Sequence, residues 1–222
     1  MRFAKIAVVG LALGLGGCGY NRIQELDEQT EQTKSNIGVE LTARNQLIPN
    51  MVATVRGAAE FERGTYTDVA RARAGQLPAA ERQLTQAQQQ TRAAVESKDV
   101  NQLQQAEAAQ TRAIGTYLNI AVEAYPQLKA TQNFSALQDQ LAESENRIAV
   151  ARRDYNESVR TYNTYIRQFP QAITAKATGA QRKTPYQAPA GSEQAPQVDF
   201  GGAAPGPAPG APAPAPPAAP AP

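Results

Sequence analysis

The 222 residues contain one cysteine and no histidine. The cysteine, Cys18, sits in LGLGGCGY, residues 13–20. A lone thiol has no disulfide partner within its own chain. Without histidine it also lacks its usual activating base and its usual zinc co-ligand. Modification of the sulfur is the chemistry that remains. Other groups able to do chemistry lie far along the chain. Tyr155-Asn156 and Tyr162-Asn163 repeat one heptad apart in YNESVRTYN, and Glu143, Glu145, Arg147, Arg152 and Arg153 make a charge-rich patch before and beside them. Gly14, Gly16 and Gly19 spell G-x-G-x-x-G, but a dinucleotide fingerprint needs a strand before it and an α/β domain after it. Here the glycines lie in an apolar leader.

That leader has a recognisable anatomy. Met1 to Lys5 is a short basic start, and Ile6 to Gly17 is uncharged. The uncharged stretch is shorter than the roughly 20 residues a bilayer span needs. Leu15-Gly16-Gly17-Cys18 matches the bacterial lipobox: an aliphatic residue, two small residues, then cysteine. It predicts a lipoprotein signal peptide over 1–17, cleavage before Cys18 and acyl chains on its thiol. Each buried methylene contributes about 0.8 kcal/mol, so one chain holds weakly and two or three hold firmly. A core thiol and an uncleaved anchor helix are the competing readings. Gly19 after the cysteine resembles the sorting pattern for outer-membrane delivery in a Gram-negative envelope, with the protein facing the periplasm.

Lys and Arg number 22 against 20 Asp and Glu; without Arg2 and Lys5 the balance is 20 against 20. A neutral mature chain argues against a nucleic-acid partner, which selects clustered positive charge. Alanine and glutamine are abundant and suit helices. Period-two runs of β-branched residues are scarce, so a sheet has no support.

The elements that must position these groups are therefore helices. The sequence predicts an all-α elongated antiparallel bundle of about four long helices over 18–172, and an extended or disordered tail over 173–222. The first helix is expected over Asn21 to Arg63, with Pro49 kinking or breaking it. Gly64 and Thr65 to Asp68 read as a stop followed by a cap. The second spans Tyr66 to Ser97, weakened near Gly75 to Pro78. Asp99 caps a third that ends at Ala124 before Pro126. The fourth runs from Asn133 to Pro170. Its positions 134, 137, 141, 144, 148, 151, 155, 158, 162, 165 and 169 form a heptad seam that is mostly apolar or aromatic. Residues 201–222 are only Gly, Ala and Pro; they bury too little area to offset chain entropy.

The segments YNRIQELDEQ (20–29), RNQLIPNMVATVRG (44–57), the long run from Glu123 to Pro170 and APQVDF (195–200) resemble the LemA family. The resemblance implies an antiparallel helical bundle held on a membrane by its N-terminus and lying outside the cytoplasm. It departs from the family in two respects: a lipobox replaces a full membrane helix, and a Pro/Ala extension follows Phe200.

Tyrosines bring area and a hydroxyl that wants a partner, and asparagines bond across helices and fix register. Glu145, Arg152, Tyr155, Asn156, Tyr162 and Asn163 are thus candidate partner-binding or register-setting residues. Glu145 and Arg152, one heptad apart, share a side of the helix, as a solvated face or as partners in interhelix ion pairs. No phosphate loop, EF-hand spacing or Ser-His-Asp pattern is present, so no catalytic, metal or cofactor residue is assigned. The resulting expectation is a non-enzymatic envelope protein, tethered by acyl chains on Cys18, that scaffolds or docks an envelope partner or a second copy of itself. The alternatives are a membrane-remodelling, self-assembling coat and an enzyme or small-ligand carrier with a polar site between helices.

Overall fold

The structure, a computed structural model, describes the backbone of residues 2–61 and 68–187 and the side chains of 19–60 and 71–187. Helix α1 (Arg2–Phe61) and helix α5 (Gln132–Tyr165) are the long members. Between them come α2 (Asp68–Ala74), α3 (Leu77–Ser97), α4 (Val100–Ala124) and a 3₁₀ turn (Pro126–Ala130), and α6 (Gln171–Thr178) follows α5. The expected cap over Gly64 to Thr67 lies outside the described residues.

Local signals explain most boundaries. Pro78 lies in the first turn of α3, and Lys98 closes that helix in the left-handed region at φ 53°. The Asp99 carboxylate accepts from the Gln102 amide at 2.9 Å, satisfying an orphan donor of α4. Thr131, not Asn133, caps α5: its hydroxyl accepts from the Phe134 amide at 3.4 Å. The helix stops at Tyr165, short of Pro170, and leaves Phe169 beyond the seam at 83% exposure. The other seam positions, from Phe134 to Tyr165, are buried or half-buried.

Contacts between helices give the topology. Moving up α1 from Thr33 through Glu40 to Arg44 meets Ser158, Arg147 and Glu145, so α5 runs antiparallel to it. Asn45 and Arg56 of α1 meet Gln88 and Glu81, so α3 is antiparallel too. The result is an up-down-up-down bundle with three apolar clusters along its axis. The cluster farthest from the leader draws on α1, α3, α4, the 3₁₀ turn and α5, including Met51, Leu84, Tyr117 and Phe134. The middle one includes Ile37, Leu41, Leu103, Ile148 and Tyr155. The third, nearest the leader, holds Ile23, Leu26, Tyr162, Ile166 and Ala175, from α1, the end of α5 and α6, with Ala180 packed against them.

Two expectations need correction. Pro49 does not break α1, which runs through it. The ring faces solvent, and the carbonyl four residues back, on Asn45, accepts instead from Gln88 Nε2 at 3.2 Å. The bundle also does not give way to a tail at 173. Residues 171–178 are helical, and 180–187 lie extended against the bundle, bonded to α5. Gly179 makes the turn between them at φ 73°, where a side chain would strain the backbone.

Candidate functional site

The extended strap, residues 180–187, explains the Tyr-Asn repeat. Asn163 donates through Nδ2 to the Lys183 carbonyl and accepts from the Lys183 amide, both at 2.8 Å. Asn156 repeats this at Tyr186, at 2.9 and 2.7 Å. Between the two clamps the Tyr155 hydroxyl donates to the Thr184 carbonyl at 2.9 Å. The spacing is matched. A heptad of α5 advances about 10.5 Å, and three extended residues advance about 10 Å. Asparagines seven apart can therefore hold strap residues three apart, with the strap antiparallel to α5. Asn156 and Asn163, candidates for partner binding or for setting register, hold extended main chain of the same molecule.

Side chains of the strap complete the attachment. Lys183 Nζ lies 2.8 Å from Glu31 and 3.0 Å from Asp27, with the Tyr162 ring 5.5 Å away. Burial opposes the ammonium charge, but hydrogen bonds to Glu31 and Asp27 outweigh it and hold Lys183 above its ordinary range. Burial likewise pushes the Glu31 carboxyl up, and bonds from Lys183 and Lys34 bring it below its ordinary range. Tyr186, 3% exposed, donates its hydroxyl to Glu107 of α4. Burial and that carboxylate push its phenol far above the ordinary value.

Glu107 leads into a buried polar layer between the middle and far apolar clusters. Arg152 of α5 lies 3.0 Å from the second Glu107 oxygen. Arg44 of α1, wholly buried, pairs with Glu145 of α5 and donates to the Gln110 side chain and to Thr111. Gln110 in turn donates to the Asn45 side-chain oxygen, and Asn45 Nδ2 donates to the Gln88 carbonyl at 3.3 Å. Glu145 and Arg152 do share the inner side of α5, but each reaches a different helix. At the surface Arg147 pairs with both Glu143 of α5 and Glu40 of α1. A layer of this kind is sensitive to deletion, because loss of one member leaves the others buried and unpaired.

Sequence reasoning missed Arg44, Asn45, Glu107, Gln110, Lys183 and Tyr186. The signal for four of them was present. Arg44 stands three residues after Leu41 and four before Ile48, and Glu107 and Gln110 interrupt the face of Leu103 and Ile114. A polar residue on an apolar stripe calls for a buried partner. Asn45 lies four residues before Pro49, where a freed carbonyl needs a donor. The Cys18 side chain lies outside the described residues. Among the described residues, no helix is long and apolar enough to cross a membrane, and no cluster of metal-ligating side chains comes together.

A helical bundle closed by a C-terminal strap agrees with the comparison to known families. The LemA family model matches residues 33–200, which include both α5 and the strap. The chain belongs to the LemA family. Two curated relatives, magnetosome proteins MamQ 1 and MamQ 2 of Paramagnetospirillum magneticum, are each 27% identical over 176 residues, covering 76% of this chain and 64% of theirs. Magnetosome protein MamQ of Magnetospirillum gryphiswaldense is 25% identical over 171 residues, covering 73% and 62%. The chain thus spans somewhat less than two thirds of the length of these relatives. Family and relatives together support a LemA-like, membrane-associated protein.

Proposed function

We propose that this LemA protein is a non-enzymatic scaffold of the cell envelope, tethered by acyl chains on Cys18 and facing the periplasm. One observation carries the scaffold reading: five of the candidate residues are paired within the molecule. Glu145 is taken by Arg44, Arg152 by Glu107, and Tyr155, Asn156 and Asn163 by the strap. A catalytic carboxylate needs a cleft that leaves it free to meet a substrate; these groups have protein partners instead. The clamps also set where the remainder of the chain starts. The last described residues, Pro185 to Gln187, lie beside α4 and α5 at the middle of the bundle.

Palmitate labelling of cells compares the natural chain with Cys18→Ala: label on the natural chain alone supports the tether, and equal labelling removes it. In-cell crosslinking from the exposed face of α5, at Arg153 and Glu157, tests docking. Crosslinks to one envelope protein support the scaffold, whereas crosslinks only between copies of this chain favour the self-assembling coat.

A further inference from the structure

The lower end of the bundle carries an unusual surface. Phe169 is 83% exposed and Ile173 63%, and Tyr20, next to Gly19 on α1, is 44% exposed. Phe169 and Ile173 lie at and just after the turn between α5 and α6, four residues apart, whereas Val39 at 61% and Val150 at 47% are exposed singly on the shafts of α1 and α5. Their level along the axis is set by α6: a Cβ on Gly19 would lie 3.5 Å from the Thr174 hydroxyl. Gly19 directly follows Cys18 on α1, and the uncharged run Ile6 to Gly17 precedes it in the same helix. The turn is therefore at the height where the apolar leader joins the bundle. Along this segment the charge has one sign, while α1 opposite carries the Arg22–Glu25 pair. From Ile166 to Gln187 the chain has Arg167, Lys176, Arg182 and Lys183 and no acidic residue. Lys183 is engaged by Asp27 and Glu31, while Arg167 and Lys176 are exposed.

Exposed aromatic and aliphatic groups flanked by free cations are the composition of a segment that lies in a bilayer interface. We propose that the α5–α6 turn is a second membrane contact, in which Phe169 and Ile173 enter the headgroup layer and Arg167 and Lys176 meet anionic lipid phosphates. The inference rests on the membrane placement proposed above, but it does not depend on acylation. Two contacts, the N-terminal attachment and this turn, hold the rod at a fixed angle to the surface, where a single tether leaves it free to swing.

The sequence has no tryptophan, so Phe169→Trp and Ile173→Trp are unique reporters on a solvent-facing turn. The full chain, purified from cells, is reconstituted in phosphatidylcholine–phosphatidylglycerol vesicles with and without brominated acyl chains. Val150→Trp, exposed on the shaft of α5, is the reference. The expected result is blue-shifted emission and loss of most intensity to brominated lipid at 169 and 173, with neither at 150. Adding Arg167→Gln or Lys176→Gln lowers the ratio of interfacial to water-exposed turn about fivefold per cation in anionic vesicles. Water-exposed emission at 169 equal to that at 150 overturns the proposal, as does a blue shift that appears without lipid and so reports a protein contact. Palmitate labelling reads the Cys18 tether separately, so failure of one leaves the other distinguishable.

Discussion

The far and leader ends of the rod are closed by different means. At the far end, α1, α3, α4 and α5 face one another around Met51, Leu84, Tyr117 and Phe134, and apolar area does the work. At the leader end α1 and α5 still pack on each other, but among the described residues α3 and α4 are absent and the short α6 and the strap take their place. The strap has little apolar area to bury apart from Tyr186, so main-chain hydrogen bonds and Lys183 attach it. Between the two ends lies the buried polar layer around Arg44. A helix pair that outruns its bundle thus gains its third side from an extended segment, and asparagines at heptad spacing are the device.

The comparison can be broken first at the polar layer. Arg44→Ala strands Glu145, Gln110 and Asn45 between clusters and is expected to cost about 3–5 kcal/mol, read as a lower urea midpoint for the whole bundle. A change confined to one end would show that the two ends do not unfold together. Next comes the strap. Asn156→Ala and Asn163→Ala are each expected to cost about 1–2 kcal/mol, but locally: amide exchange at Lys183 and Tyr186 accelerates while that of Leu84 and Tyr117 holds. Equal acceleration at both ends would erase the distinction drawn here.

A subtler effect concerns Pro49. Gln88→Leu should cost about 1 kcal/mol by leaving the Asn45 carbonyl unpaired. The cost should shrink in a Pro49→Ala background, where the residue at 49 regains an amide donor. A double-mutant cycle measured by urea unfolding checks the coupling. Smallest is the exposed Glu143–Arg147 pair, where Arg147→Gln should change stability by less than about 0.5 kcal/mol.

Protonation separates the ends as well. Glu31 lies below its ordinary 4.5, so its contribution is present above that value and is lost as pH falls through the lowered one. Lys183 lies above its ordinary 10.5, so its contribution is full below that value and is lost as pH rises through the raised one. Burial raises Tyr155 and, with Glu107, Tyr186 above 10.0; released chains ionise first, and alkali favours release. Near-ultraviolet circular dichroism of the tyrosines should therefore report strap detachment at acid and at alkaline pH, with a plateau between. A signal that follows global unfolding at both extremes would count against separate detachment.

Helices were legible where their causes are local. Asp99 before Val100, Pro126 after Ala124 and the seam of α5 each mark structure within one or two turns, and the structure has them. The seam also identified Tyr155, Ser158 and Tyr162 as inward-facing. The boundary at 172 failed because residues 180–187 have no periodicity and few apolar side chains, so nothing nearby in the chain signals order.

Composition and spacing alone determined the helical class, the helix order, the apolar faces and the unusual context of Cys18. Each follows from side chains one to seven residues apart, the range over which backbone geometry is fixed. Only the tertiary structure decided which polar residues are buried together and what the Tyr-Asn repeat holds. Arg44 meets Glu145 across 101 positions and Lys183 meets Glu31 across 152. Such pairings depend on how whole helices stack, because a hydrogen bond acts over about 3 Å of space irrespective of the chain between its partners.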